Sequence, residues 1–145
     1  MSLNSIQVSL IDWLLLCQQV QWEDNKGKCG VCGDSYSGLR DHETGGFYAR
    51  NITTRTYAPG SPIDIVIDIV TNHGGRFKFD MCWRNETSEK ETEDCFEKLQ
   101  LVNGSYIYHI PSHENQAFKR VIQVQLPRDR TCDKCILRWH WEASK

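Results

Sequence analysis

In PIDIVIDIVTN, residues 62–72, four isoleucines at 63, 65, 67 and 69 alternate with Asp64, Val66, Asp68 and Val70. A side-chain period of two belongs to a strand with one buried face; a helix would scatter the same isoleucines around its axis. GRFKFDMCW repeats the pattern after a turn at Gly74-Gly75, setting Phe77, Phe79, Met81 and Trp83 against Lys78, Asp80 and Cys82. SYIYHI, RVIQVQL and CILRWHWE follow at intervals suited to antiparallel connections, with Pro111 and Pro127 outside the strand interiors. No stretch of 12 or more residues shows helical periodicity. Several short strands with loops between them predict an all-β sandwich. The segment Gly27–Gly46, rich in Gly, Asp and Ser, reads as irregular loop that needs stapling to stay ordered.

A chain of 145 residues fits one domain, and a globule of that size buries roughly 68–70% of the surface its unfolded chain exposes. The 17 Lys and Arg are scattered and the net charge is −2, so no basic stripe exists to neutralise phosphates, and no nucleic-acid partner is expected. The acidic run from Asn85 to Cys95 reads as a solvated loop, because a calcium loop needs a fixed carboxylate spacing that it lacks. The apolar stretch Ile6–Cys17 is too short to span a bilayer and is broken by Asp12, so no membrane association is expected. No basic region leads it and no small-x-small cleavage site follows Leu16, so it reads poorly as a signal peptide.

Seven cysteines and three Asn-x-Ser/Thr sequons, at Asn51, Asn85 and Asn103, nonetheless suit an exported, disulfide-bonded protein with glycosylated surface loops. Four of the cysteines form two Cys-x-x-Cys steps, Cys29/Cys32 and Cys132/Cys135. Four thiolates can bind zinc tetrahedrally, but zinc pairs usually stand about 15–20 residues apart, far less than the separation here. A thioredoxin-like role lacks its βαβ setting. Disulfides are therefore expected. The most natural pair is Cys82 with Cys95, which would close the acidic loop; an odd count leaves at least one cysteine over.

The histidines are less informative. His109 and His113 have a spacing that would share a helical face, but Pro111 between them forbids the helix, and both read as surface loop residues. His42 and His140 carry no motif. His73, in TNHGG, sits where a strand ends beside two glycines, and such loops are where sites are built. No nucleophile elbow, phosphate loop or selectable carboxylate pair is present.

The segments VQWEDNKGKCGVCGDSY, HETGGFYARNI, IVTNHGGRFKFDMCW and CDKCILRWHW together resemble, in order and spacing, the animal copper-dependent lytic polysaccharide monooxygenases, also described as chitin-binding type-4 domains. The resemblance runs from about Val20 to Trp141. It implies an immunoglobulin- or fibronectin III-like β-sandwich with long disulfide-stapled loops, secretion, a monomer, and a flat face for chitin or cellulose. In that family a leading histidine and a loop histidine grip one copper ion, with an aromatic residue at the axial position. His73 matches the loop ligand. Met1–Gln19 is unlike the family and lacks the leading histidine, and the chain stops at Lys145 before the axial aromatic. The expectation is thus a divergent segment 1–19 followed by a family-like domain, 20–145, incomplete at its C-terminal end. It should bind polysaccharide, hold copper weakly and lack a complete catalytic constellation. The alternatives are an active copper monooxygenase, should a longer chain supply the missing ligands, and a zinc-stabilised structural module.

Overall fold

In the computed structural model the described residues are 3–4, 24–85, 89–111 and 116–144. The Ile6–Cys17 stretch, with Cys17, and His113 lie outside them. Among the described residues the strands are β1 (Leu3–Asn4), β2 (Thr56–Tyr57), β3 (Pro62–Ile69), β4 (Gly75–Cys82), β5 (Phe96–Lys98), β6 (Gln100–Leu101), β7 (Tyr108–Ile110), β8 (Phe118–Gln125) and β9 (Ile136–Glu142). One sheet runs β3-β8-β6. In the other, β9 pairs with β4 from Arg76 to Cys82, while β7 pairs with Gly75–Phe77 and β5 with Asp80–Cys82; every pairing is antiparallel. β1 and β2 form a separate two-stranded ribbon.

The inward faces of the two sheets make one core. Ile63, Ile65, Ile67 and Ile69, with Leu101, Ile122, Val124 and Leu126, meet Phe77, Phe79, Met81, Leu99, Ile110 and Leu137. Each such side chain, taken fully out of water, contributes on the order of 1.5–3 kcal/mol before the cost of ordering it. The isoleucine alternation of β3 emerges as read, buried residues alternating with exposed ones along the whole strand. β4 departs from it. Its last four residues are all buried, Asp80 and Cys82 on one face as well as Phe79 and Met81 on the other. The loop after Gly27 covers the second face there, as the hydrogen bond from Arg138 to the Val31 carbonyl (3.3 Å) and the Arg138–Asp80 ion pair (3.0 Å) show.

That loop is irregular, as its composition predicts, but what holds it is largely electrostatic. Glu43 accepts from the Val31 amide (3.1 Å) and from Arg40 (2.7 Å), and Asp34 accepts from the amide and the ring of His42. Thr44 gives its amide (2.8 Å) and hydroxyl (2.6 Å) to Glu91, which pairs with Arg84 at 2.8 Å. The Arg84 and Glu91 side chains are only 5% and 2% exposed.

Cys82 and Cys95 form the expected disulfide, 13 residues apart; a loop of that length is worth about 3 kcal/mol through the unfolded chain. Cys132 is bonded to Cys135. Neither Cys29 nor Cys32 takes part in those two disulfides. Cys29 is exposed in a backbone bridge with Ser35, and Cys32 is a buried thiol. Burial, reinforced by the carboxylates of Glu91, Glu43 and Asp34, pushes the Cys32 thiol up to about 12. Because the thiolate is the nucleophile, Cys32 should resist iodoacetamide at pH 8 in the folded protein and react once urea unfolds it. Mass spectrometry of the alkylated chain reads the difference, and full modification of Cys32 in the native state would contradict this environment.

Candidate functional site

The β3–β4 connection is built around His73. Asn72 is buried and its side-chain oxygen accepts from the Gly74 amide at 2.8 Å, closing a tight local turn. Gly74 and Gly75 then take φ of 60° and 92°, where a side chain is disfavoured. The far end of β9 completes the loop: Trp141 donates its indole N–H to the Gly74 carbonyl at 2.8 Å, and Ser144 donates its amide (3.1 Å) and hydroxyl (2.6 Å) to the His73 carbonyl. The His73 ring lies 6.0 Å from that of Trp141, which packs edge-on against Phe77 in the core at 5.9 Å. The backbone on both sides of the imidazole is therefore tied to the sandwich.

The imidazole itself has a buried Nε2 with no hydrogen-bond partner among the described residues. Buried polar atoms are nearly always paired, so an orphaned ring nitrogen on a fixed loop is what a ligand donor looks like before its ligand is in place. One such nitrogen fits copper, whose preferred donors include imidazole. Near the end of β9, Glu142 receives hydrogen bonds from both Lys78 and Arg76. The bond from Lys78 first, then that from Arg76, holds the Glu142 carboxyl below its usual range against partial burial. A depressed folded-state value means stability that is present above the ordinary value of 4.5 and is lost as pH falls through the folded one. Glu142→Gln should therefore flatten the acid limb of a urea-midpoint profile below about pH 4.5. An unchanged acid limb would rule this linkage out.

The other expected residues lie elsewhere. His42 stacks on Tyr48 at 5.0 Å and bonds Asp34; His109 on β7 pairs across the sheet with Arg76, and His140 with Lys78. Among the described residues no group of three or more His, Cys, Asp or Glu is placed to hold a metal ion. The four-thiolate zinc site is thereby left without its ligands, since Cys132 and Cys135 are bonded to each other. Asn51, Asn85 and Asn103 are all exposed. Trp141 and Ser144 were not singled out from sequence; the only signal was the tryptophan-rich strand, and their partners stand 67 and 71 residues upstream.

Two antiparallel sheets thus carry, at one strand end, a loop whose backbone is fixed on both sides of His73. The family model described as lytic polysaccharide mono-oxygenase, cellulose-degrading, matches residues 15–145. Among solved structures, a lytic polysaccharide monooxygenase AA15 from Thermobia domestica in the Cu(I) state is 38% identical, with a TM-score of 0.83, covering 89% of this chain and 69% of that one. A comparison with curated protein sequences finds no match. The chain belongs to the lytic polysaccharide monooxygenase family, whose immunoglobulin-like β-sandwich it shares.

Proposed function

We propose that the chain is a secreted, N-glycosylated, monomeric domain that binds the surface of chitin or cellulose, with His73 giving one nitrogen to a copper ion. The observation that carries this reading is the Nε2 of His73, without a hydrogen-bond partner among the described residues, on a loop fixed from both sides. Bound copper supplies the redox chemistry by which the family oxidises a sugar C–H bond. The residues of this chain do the rest: Asn72, Trp141 and Ser144 fix the loop, and Gly74 and Gly75 leave its surface free of side chains. The exposed Asn51, Asn85 and Asn103 carry the glycans in this reading. Among the described residues no group of three or more His, Cys, Asp or Glu is placed to share a metal with His73, and one monodentate nitrogen lacks the chelate effect of a multi-nitrogen site. Oxidative turnover by the 145-residue chain is accordingly impaired.

The test pairs adsorption to insoluble chitin and cellulose with a copper(II) titration of the chain and of His73→Ala. Expected are adsorption to at least one polymer, copper binding weaker than micromolar that disappears in His73→Ala, and no oxidised oligosaccharides on adding a reductant. Failure to adsorb to either polymer, or sub-micromolar copper binding that survives His73→Ala, would overturn the reading.

A further inference from the structure

β3 lies at the edge of its sheet: β8 pairs with one side of it, and among the described residues nothing pairs with the other. The pairing with β8 is one-to-one from Pro62 to Ile69, with no bulge. An open edge offers a row of N–H and C=O groups to another extended chain, and proteins ordinarily blunt it by shortness, charge, proline or a bulge. β3 runs for eight residues, with proline only at its first position and two aspartates on its solvent face.

The ladder fixes which groups face the open side. The Val102 amide donates to the Gln123 carbonyl at 3.1 Å, so that carbonyl turns toward β6 and away from β3. Gln123 stands opposite Asp64. In an antiparallel pair, opposite residues exchange both bonds or neither, and the two kinds alternate. The N–H and C=O groups of Asp64, Val66 and Asp68 therefore point to the open edge, and those of the isoleucines point to β8. The Leu126 amide on the Ser61 carbonyl, at 3.1 Å, keeps the same alternation.

The sequence of the strand specifies what fits that edge. Residues 63–70 are the same four residues twice, Ile-Asp-Ile-Val and again Ile-Asp-Ile-Val. Turned antiparallel about a two-fold axis at Ile67, two copies set Val66 opposite Asp68 and Asp64 opposite Val70, just past the strand. On the core side Ile67 meets its own counterpart and Ile65 meets Ile69. These pairs exchange about eight backbone hydrogen bonds. No aspartate stands directly opposite another; the nearest like charges are diagonal neighbours about 7–8 Å apart, a distance over which salt screens them.

We propose that β3 is a self-association edge: two copies of this chain pair antiparallel along it about Ile67, joining their three-stranded sheets into one continuous sheet. An edge of this length buries less than the ~1,200 Å² of a stable complex, so the pair is weak and the dilute chain is monomeric. Neither His73 nor copper takes part, and the pairing stands apart from the reading of the His73 loop.

The full 145-residue chain is followed by sedimentation velocity and amide hydrogen exchange from micromolar to near-millimolar concentration, in low and in high salt. A dimer should grow with concentration and tighten in high salt. In step with it the Asp64, Val66 and Asp68 amides should gain protection, while those of Ile65 and Ile67, already bonded to β8, stay as they were. Val66 is 56% exposed, so its substitution leaves the core intact. Val66→Lys places a cation opposite Asp68 of the second copy and should tighten the pair at least about threefold, and Val66→Glu should loosen it as much. A chain monomeric throughout, a dimer that a non-reducing gel shows to be disulfide-linked, or a dimer whose three edge amides stay unprotected overturns the proposal. So do edge amides already protected in the monomer, which would mean that another stretch of the same chain covers them, and so does loosening by both Val66 variants.

Discussion

Glu91→Ala is expected to destabilise the protein by about 3–5 kcal/mol, the usual consequence of deleting one partner of a buried ion pair. The reason is what stays behind. Arg84 is 5% exposed and would keep its charge with neither the carboxylate nor water to solvate it. The same change strips Thr44 of the acceptor for both its amide and its hydroxyl, and with that the tie between the Gly27–Gly46 loop and the sandwich. The Thr44 Oγ1 and the Glu89 carbonyl still accept from Arg84, so the cost belongs to the lost charge partner rather than to every bond of the guanidinium. Urea unfolding followed by tryptophan fluorescence measures it. Replacing both members with apolar residues, Arg84→Met with Glu91→Leu, should recover part of the loss, because no charge is then left buried. A Glu91→Ala midpoint within experimental error of the parent would show that the pair is not what holds the loop.

Gly75→Ala should produce the next largest effect, and the one that reaches the candidate site. A Cβ there would stand 2.0 Å from the Glu142 carbonyl oxygen and 2.8 Å from the Ser144 amide nitrogen, on a backbone with φ of +92°. Left-handed backbone alone costs a non-glycine residue about 1–3 kcal/mol. The collision adds to this, since backbone has to move: the end of β9 must swing away from β4, and the Ser144 hydrogen bonds to the His73 carbonyl go with it. The expected result is a stability loss of at least ~2 kcal/mol, together with weaker copper binding at His73. Gly45→Ala supplies the comparison. It has nearly the same φ, +91°, with nothing within 4 Å of the added carbon, and should show the conformational term alone. Equal losses in the two variants would mean that the β4–β9 contact does not constrain the His73 loop.

How much of this was legible beforehand follows from the length of each pattern. The isoleucine run of β3 spans eight residues with one buried face, long enough for a period of two to declare itself. β5 and β6 are three and two residues long and carry no period at all, so only their partners on β4 and β8 define them as strands. In β4 the alternation was read correctly for Phe77, Phe79 and Met81, yet Asp80 is buried too. Its burial depends on Arg138 and on a loop some fifty residues upstream, which no local window contains. The disulfide between Cys82 and Cys95 could be named because the two cysteines flank one loop. The second Cys-x-x-Cys step closing on itself, and Cys32 remaining a buried thiol, could not.

The sequence by itself determined the sandwich and the core face of its long strands, because those depend on local periodicity. The tertiary structure alone decided that the Nε2 of His73 is buried without a partner among the described residues, and that Trp141 and Ser144 lock its backbone. It alone set Arg84 against Glu91. Each of these is a meeting of residues distant along the chain, and such meetings are fixed by how strands pair and sheets stack rather than by any neighbour in sequence.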